Sequence, residues 1–411
     1  VPLAPLVEQV ASLRTSAPIY SRLSVLLNGQ LRYLTNFWTP PATYPNQEIP
    51  IRSAGSAALA LSITVQTQVW DPVVSGVGDY RIPRDRATSI VTSLAAAHRA
   101  NTSGGWGGTW QSALWAWLAG TAGWLQWRYL TGAAREAVAR MVESEADAQL
   151  GGQPRYLRDL DGTVLTPGDT GAEECAWNAL APALAYAMMP GHVRAPGWLQ
   201  TAARFAVAAY SHPDDAGSGE AVSGRPLVGW LAGSNTEADY SVVNHDRVHP
   251  DYMAAAHLLT WAAATLSLAG RPVPAALLWN CDHVYAALSR PLAGALPMYA
   301  PGEPDPIINY PAGGDWGDRR PTNFAAFDIG VRAYGLDGLS ERPAGYWADV
   351  HLNDASAMQA RFTDGHLVAD ATEDSYGARE QWNAAQLAAS WLIQWLGHHG
   401  RIAVTDAPLW A

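Results

Sequence analysis

The stretch WQSALWAWLAGTAGWLQWRYLTGAAREAVARMVESEADAQL, residues 110–150, sets the reading of the whole chain. Apolar residues recur at three- and four-residue spacing on both sides of Thr131-Gly132, which predicts two helices joined by a break too short for anything but an antiparallel hairpin. The same pattern recurs near 3–14, 18–35, 52–68, 84–100, 172–189, 196–210, 251–269, 273–291, 321–335 and 380–398. Ala269-Gly270-Arg271-Pro272 makes another short break, with Gly closing one helix and Pro opening the next. Much longer connections lie at 101–109, 151–171, 211–224, 231–250 and 295–320, rich in Gly, Asp, Asn, Trp and Pro, and loops of that length in a folded domain are usually functional. A dozen helices with alternating short and long connections predict an all-α fold, an α/α toroid of about six helical hairpins whose long loops share one rim. One domain is expected over 1–411, with at most one β-hairpin, at 363–370.

Composition agrees with a large buried core, since 48% of the 411 residues are hydrophobic and 15% are charged. Ala113 to Leu125 is the nearest thing to a membrane span, but Gly and Thr interrupt it, so none is expected. The net charge of −11 argues against a nucleic-acid partner. All 26 basic residues are Arg, which reads as a coding bias, and Arg clusters can still bind an anionic sugar. Two cysteines, Cys175 and Cys281, are too few for a zinc cluster; one bridge or two reduced thiols are both open. The chain opens at Val1 with no signal peptide, and a secreted or cell-surface location is the expectation, with cytoplasmic as the alternative.

Four clusters carry candidate chemistry. Ahead of an apolar helix, the segment 237–252 places Asn244, His245, Asp246, His249, Asp251 and Tyr252 within nine residues. A helix start at Pro250-Asp251 accounts for part of this and leaves Asn244-His245 unexplained. His245, His249 and Asp251 are also possible divalent-metal ligands, although Pro250 makes this stretch a loop rather than the helix that would align the two histidines; no cofactor is expected. The segment 310–321 offers Tyr310, Asp315, Trp316, Arg319 and Arg320 among glycines that let a ligand approach. Trp106 and Trp110, in Gly104-Gly-Trp-Gly-Gly-Thr-Trp110, are candidate sugar-stacking faces. Glu173 and Glu174 open a helix and suit its positive end; Asn178, one turn on, shares a face with Glu174 and can project beside it. Glu373-Asp374, ahead of Tyr376 and Arg379, forms a weaker group.

Asp239-Tyr-Ser-Val-Val-Asn-His245, followed by Tyr252, resembles the loop in which the α/α-toroid polysaccharide lyases carry a catalytic His near a Tyr. That group includes hyaluronate, chondroitin and alginate lyases and heparinase-like enzymes. Asn178 resembles their helix-borne Asn, and Arg319 or Arg320 their later Arg; the likeness covers about a dozen residues plus the architecture, without the β-sandwich many of them carry. It implies β-elimination on a uronate-containing oligo- or polysaccharide. Asn244, Asn178 and Arg319 would neutralise the carboxylate, His245 would act as base or share in that neutralisation, and Tyr252, or Tyr310, would supply the phenol. The remaining site candidates, Trp106, Trp110, Glu174, His249, Asp315, Trp316 and Arg320, would bind substrate. A glycoside hydrolase of the same shape is the alternative, with Glu174, Glu237, Asp239, Asp315 and Asp318 as its carboxylates, and the acidic chain suits a neutral sugar. A non-catalytic sugar-binding protein is third. No Asp-Asp-x-x-Asp motif supports a terpene cyclase.

Overall fold

A computed structural model describes residues 18–291, 296–300 and 308–409. Helices run through α1 (Pro18–Asn36), α2 (Glu48–Gln66), α3 (Pro72–Ser75), α4 (Arg81–Ala96), α5 (Ser112–Leu125) and α6 (Gly132–Leu150). They continue with α7 (Ala172–Asn178), α8 (Leu180–Met188), α9 (Ala195–Ala209), α10 (Leu227–Trp230) and α11 (Pro250–Ala254). The last five are α12 (His257–Leu268), α13 (Cys281–Ser289), α14 (Pro321–Tyr334), α15 (Ala344–Gln359) and α16 (Arg379–His398). The helix expected at 3–14 lies outside the described residues.

Six helical units close a ring. Helix α2 packs on α5, α5 on α8, α8 on α12, α12 on α14, α14 on α16, and α16 back on α2. These inner helices are apolar on every side because every side is covered: all residues of α5 and α12 are buried, as are Ile51 to Gln66 of α2. Small residues allow the close approach. A side chain at Gly120 would collide with Val142 and Leu184, and one at Gly330 with Thr260. Outside the ring, α1, α4, α6, α9 and α15 are amphipathic; α4, for example, buries Pro83, Ala87, Ile90, Val91, Leu94 and Ala95 along one stripe. The result is an all-α toroid, with only two-residue strand pairs in its loops. No described helix is long and apolar enough to cross a membrane.

The departures from the sequence reading have local causes. Residues 273–291 are not one helix, since Val273–Pro274 pairs as a strand with Val404–Thr405 and a 3-10 turn follows before α13 begins at Cys281. Helix α15 was not anticipated, because its buried residues, His351 and Asp354 among them, are partly polar. The hairpin expected at 363–370 is an irregular loop instead. There the Leu367 and Val368 N–H groups bond to the buried Glu380 carboxylate, at 3.0 and 2.7 Å, rather than to a second strand. Cys175 and Cys281 are both free and buried.

Candidate active site

All six inner units turn their N-terminal ends toward one cavity of about 420 Å3, within the usual ~300–1,000 Å3 range of small-molecule sites. Glu48 and Arg52 reach it from α2, Gln111 from the start of α5, and Glu173, Glu174 and Trp177 from α7, which runs on into α8. Asp251, Tyr252 and His257 come from α11 and α12, Arg320 and Asn323 from the start of α14, and Tyr376 and Trp382 from that of α16. The positive ends of the inner helical units therefore converge, which favours an anionic ligand. Glu48 and Asp251, in first helical turns, sit where that field stabilises carboxylates.

The loops complete the wall. Segment 237–252 is a β-hairpin rather than an open loop: Val243–Asn244 pairs with Arg247–Val248, and His245-Asp246 is its two-residue turn. Both turn residues have positive φ, +51° and +62°, the type I′ geometry that normally selects Asn or Gly. A histidine held in that conformation is strained, and it is aimed at the cavity with 47% of its side chain accessible. Its Nδ1 lies 2.5 Å from Asp315 Oδ2. Because a carboxylate only accepts, this contact selects the tautomer of the neutral imidazole in which Nδ1 carries the proton and Nε2 the lone pair. Burial raises the Asp315 carboxyl, but the His245 hydrogen bond and the neighbouring His249 and Arg247 outweigh it and hold the group below its usual range.

Tyr252 stands edge-on to His245, ring centroids 5.6 Å apart, and its oxygen accepts the Trp316 indole N–H at 3.4 Å. Burial, reinforced by Glu173, pushes this phenol well up, so it is a proton donor. Asn244 Oδ1 accepts the His245 backbone N–H at 2.9 Å, leaving the amide N–H groups for a ligand. Glu173 lines the cavity, half-buried, and has no hydrogen-bond or ion-pair partner among the described residues. Desolvation raises its pKa to about 8 against the pull of Arg320 and Arg52, which favours the protonated acid near neutrality. His257, missed in the sequence because it lies within an apolar run, lines the floor; its Nδ1–H bonds the Ala254 carbonyl at 2.8 Å, and burial lowers it to about 4.

Of the residues expected from sequence, Asn244, His245, Tyr252, Arg320, Trp110, Glu174 and Trp316 meet at this cavity, and Asp315 backs it. The others do not line this cavity. Arg319 turns away, held by Asp354 at 2.5 Å beside a second cavity behind the 310–320 loop; Arg320, buried, is the one of the two that lines this cavity, paired with Asp251 at 2.6 Å and Asp374 at 3.4 Å. Tyr310 donates its hydroxyl to Asp251 at 3.0 Å and is not a cavity phenol. His249 is buried behind the wall, and Asn178 is absent from the lining, where Glu173 stands in its stead. Trp106 is a core residue, its N–H on the Leu94 carbonyl and its ring against His98. The glycines around it serve buried Glu145, which gathers His98, Arg99, Ser112 and the Gly108 N–H; a side chain at Gly107 would strike His98. Of the metal ligands suggested by the sequence, His245 and His249 both approach Asp315, at 2.5 and 3.3 Å, but among the described residues no three His, Cys, Asp or Glu side chains are arranged to hold an ion.

Trp110 is the exposed aromatic at the rim, 58% accessible, standing edge-on to Trp177 with its N–H on Glu174. Trp110→Ala should raise KM roughly 2- to 12-fold, from ~0.5–1.5 kcal/mol of stacking, and leave kcat and Tm nearly unchanged. Saturation kinetics and a melting curve check this.

No protein-family model and no curated protein matches the sequence. Among solved structures, the chain is similar to a point mutant of the chondroitin AC lyase of Streptomyces coelicolor A3, at 15% identity and TM-score 0.44, covering 92% of this chain and 46% of that one. It is also similar to the α-1,6-mannanase GH76A of Salegentibacter sp. HEL1_6, at 12% identity and TM-score 0.41, covering 90% and 98%. An inactive variant of that mannanase in complex with α-1,6-mannotriose gives 11% identity, TM-score 0.40, and 91% and 99% coverage. The chain thus spans a little under half the length of the lyase chain.

Proposed function

We propose that this cavity is the active centre of a carbohydrate-active enzyme that cleaves a uronate-containing glycan by β-elimination. The carrying observation is the His245–Asp315 pair, which presents a lone-pair nitrogen beside the high-pKa phenol of Tyr252 at a convergence of helix N-termini. His245 Nε2 takes the C5 proton of the uronate, and Asp315 stabilises the imidazolium. Charge then develops on the substrate carboxylate, where the Asn244 amide and the protonated Glu173 donate to it. The C5 electron pair forms the C4–C5 double bond as the C4–O bond breaks, and Tyr252 gives its proton to the departing oxygen. His245 afterwards returns a proton to the phenolate.

Incubation with uronate-containing and neutral polysaccharides, following ultraviolet absorbance of the unsaturated product alongside reducing ends, tests the reading. Absorbance that rises with wild type and not with the His245→Ala variant is the expected result; reducing ends without absorbance overturn it. The second reading, a glycoside hydrolase, is favoured by the same Glu173, whose raised pKa also suits a general acid working with a second carboxyl group of the cavity.

The role given to Glu173 fixes a pH dependence. Its acid form is required, so turnover should fall as pH rises through about 8. Glu173→Gln keeps a neutral donor and should retain activity while losing that alkaline limb. The stability sign follows: an acid whose folded pKa is raised makes the fold progressively less stable as pH climbs from the unfolded value toward about 8, so Glu173→Gln should be relatively more stable at pH 8 than at pH 4. Rate profiles and melts across pH 4–9 measure both.

A further inference from the structure

We infer that the substrate is a glycan in which an unsulfated uronate stands between uncharged sugars; this rests on the elimination reading. Each arginine that lines the cavity is already engaged. Arg52 is held by Glu48, the Tyr376 hydroxyl and the Gly377 carbonyl, Arg155 by Asp169 and Glu174, and Arg320 by Asp251 and Asp374. The lining carries five carboxyl groups against these three arginines, and the chain has no lysine. What remains positive is the field of the helix ends, which falls off within a turn and so serves one carboxylate at the floor. Asn244 and Glu173 meet that carboxylate as neutral donors, and the raised pKa of Glu173 fits this arrangement.

Sugars flanking the bound uronate run out past the rim, where Asp169 and Glu174 share a single arginine beside Trp110. A stacking face suits an uncharged ring. A sulfate there would face the carboxyl groups of Asp169 and Glu174, with the Arg155 guanidinium already held between them. The net charge of −11 adds long-range repulsion of any polyanion.

Initial rates of ultraviolet absorbance should be compared for three polymers: an alternating uronate–sulfated hexosamine chain, the same chain after desulfation, and a neutral glycan bearing sparse uronates. The expected order of kcat/KM is sparse, then desulfated, then sulfated, with the ends at least about tenfold apart, the equivalent of ~1.4 kcal/mol. Added salt should narrow the gap by screening. A sulfated chain cleaved as fast as the sparse one, with absorbance from both, overturns this inference and leaves elimination standing. Reducing ends without absorbance, or no cleavage of any of the three, overturns elimination and the inference together.

Discussion

Replacing His245 by glycine should abolish elimination while leaving the fold as stable as before or more so. The imidazole is the base, and loss of a positioned base costs roughly 10^2- to 10^4-fold in kcat. The same residue occupies the first turn position of a type I′ hairpin at φ +51°, where a side chain is strained and glycine is not. Relief of that strain offsets the extra chain entropy of glycine and amounts to at most about 1 kcal/mol. Activity and stability are thus expected to move in opposite directions, which a histidine placed for structure would not produce. Asp315→Asn should lower kcat by a comparable factor, since an amide no longer fixes the tautomer or stabilises the imidazolium. Steady-state rates with thermal melts of both variants decide the matter. Retention of more than a tenth of wild-type turnover in His245→Gly would falsify the assignment.

Arg320→Met should have the largest effect on stability. The guanidinium is buried between Asp251 and Asp374 and lies over the Tyr376 ring, 5.1 Å from its centroid. Burial lowers its pKa, but the two carboxylates outweigh this and bind the proton more firmly than in water. Removing it leaves two buried carboxylates without a counter-charge, a loss of about 3–5 kcal/mol in comparable cases. Burial already raises the Asp374 carboxyl, with Arg320 opposing. Without the arginine that rise grows, so the variant's deficit should be greatest near neutrality and shrink as pH falls and the carboxyls protonate. Urea denaturation at pH 7 and pH 4.5 tests both statements, and a deficit that grows at low pH contradicts them. Adding Asp251→Asn to Arg320→Met should recover part of the loss.

Much of the ring was legible from spacing, because a helix buried on all sides is apolar along its whole length and one outside it carries an apolar stripe. The wholly buried α5 and the amphipathic α6 show the two patterns on either side of Thr131, whose side chain caps the second. The polar α15 escaped because its His351 is buried against Asp328, a pairing between helices that no local pattern announces. Trp106 and Trp110 illustrate the same limit four residues apart: both lie in the glycine-rich loop, yet the first is sealed in the core and the second stands in solvent.

What the sequence by itself determined is the helical period, the hairpin breaks and the clustering of titratable residues in the long loops, all of which are fixed by neighbours along the chain. Which residues meet was decided by ring closure. That closure directs six helix N-termini at one space, brings Asp315 to His245 across seventy positions, selects Arg320 over Arg319, and sets Glu173 where desolvation raises its pKa. Charge state and proximity depend on the three-dimensional distribution of dielectric and counter-charge, and neither is a property of a linear segment.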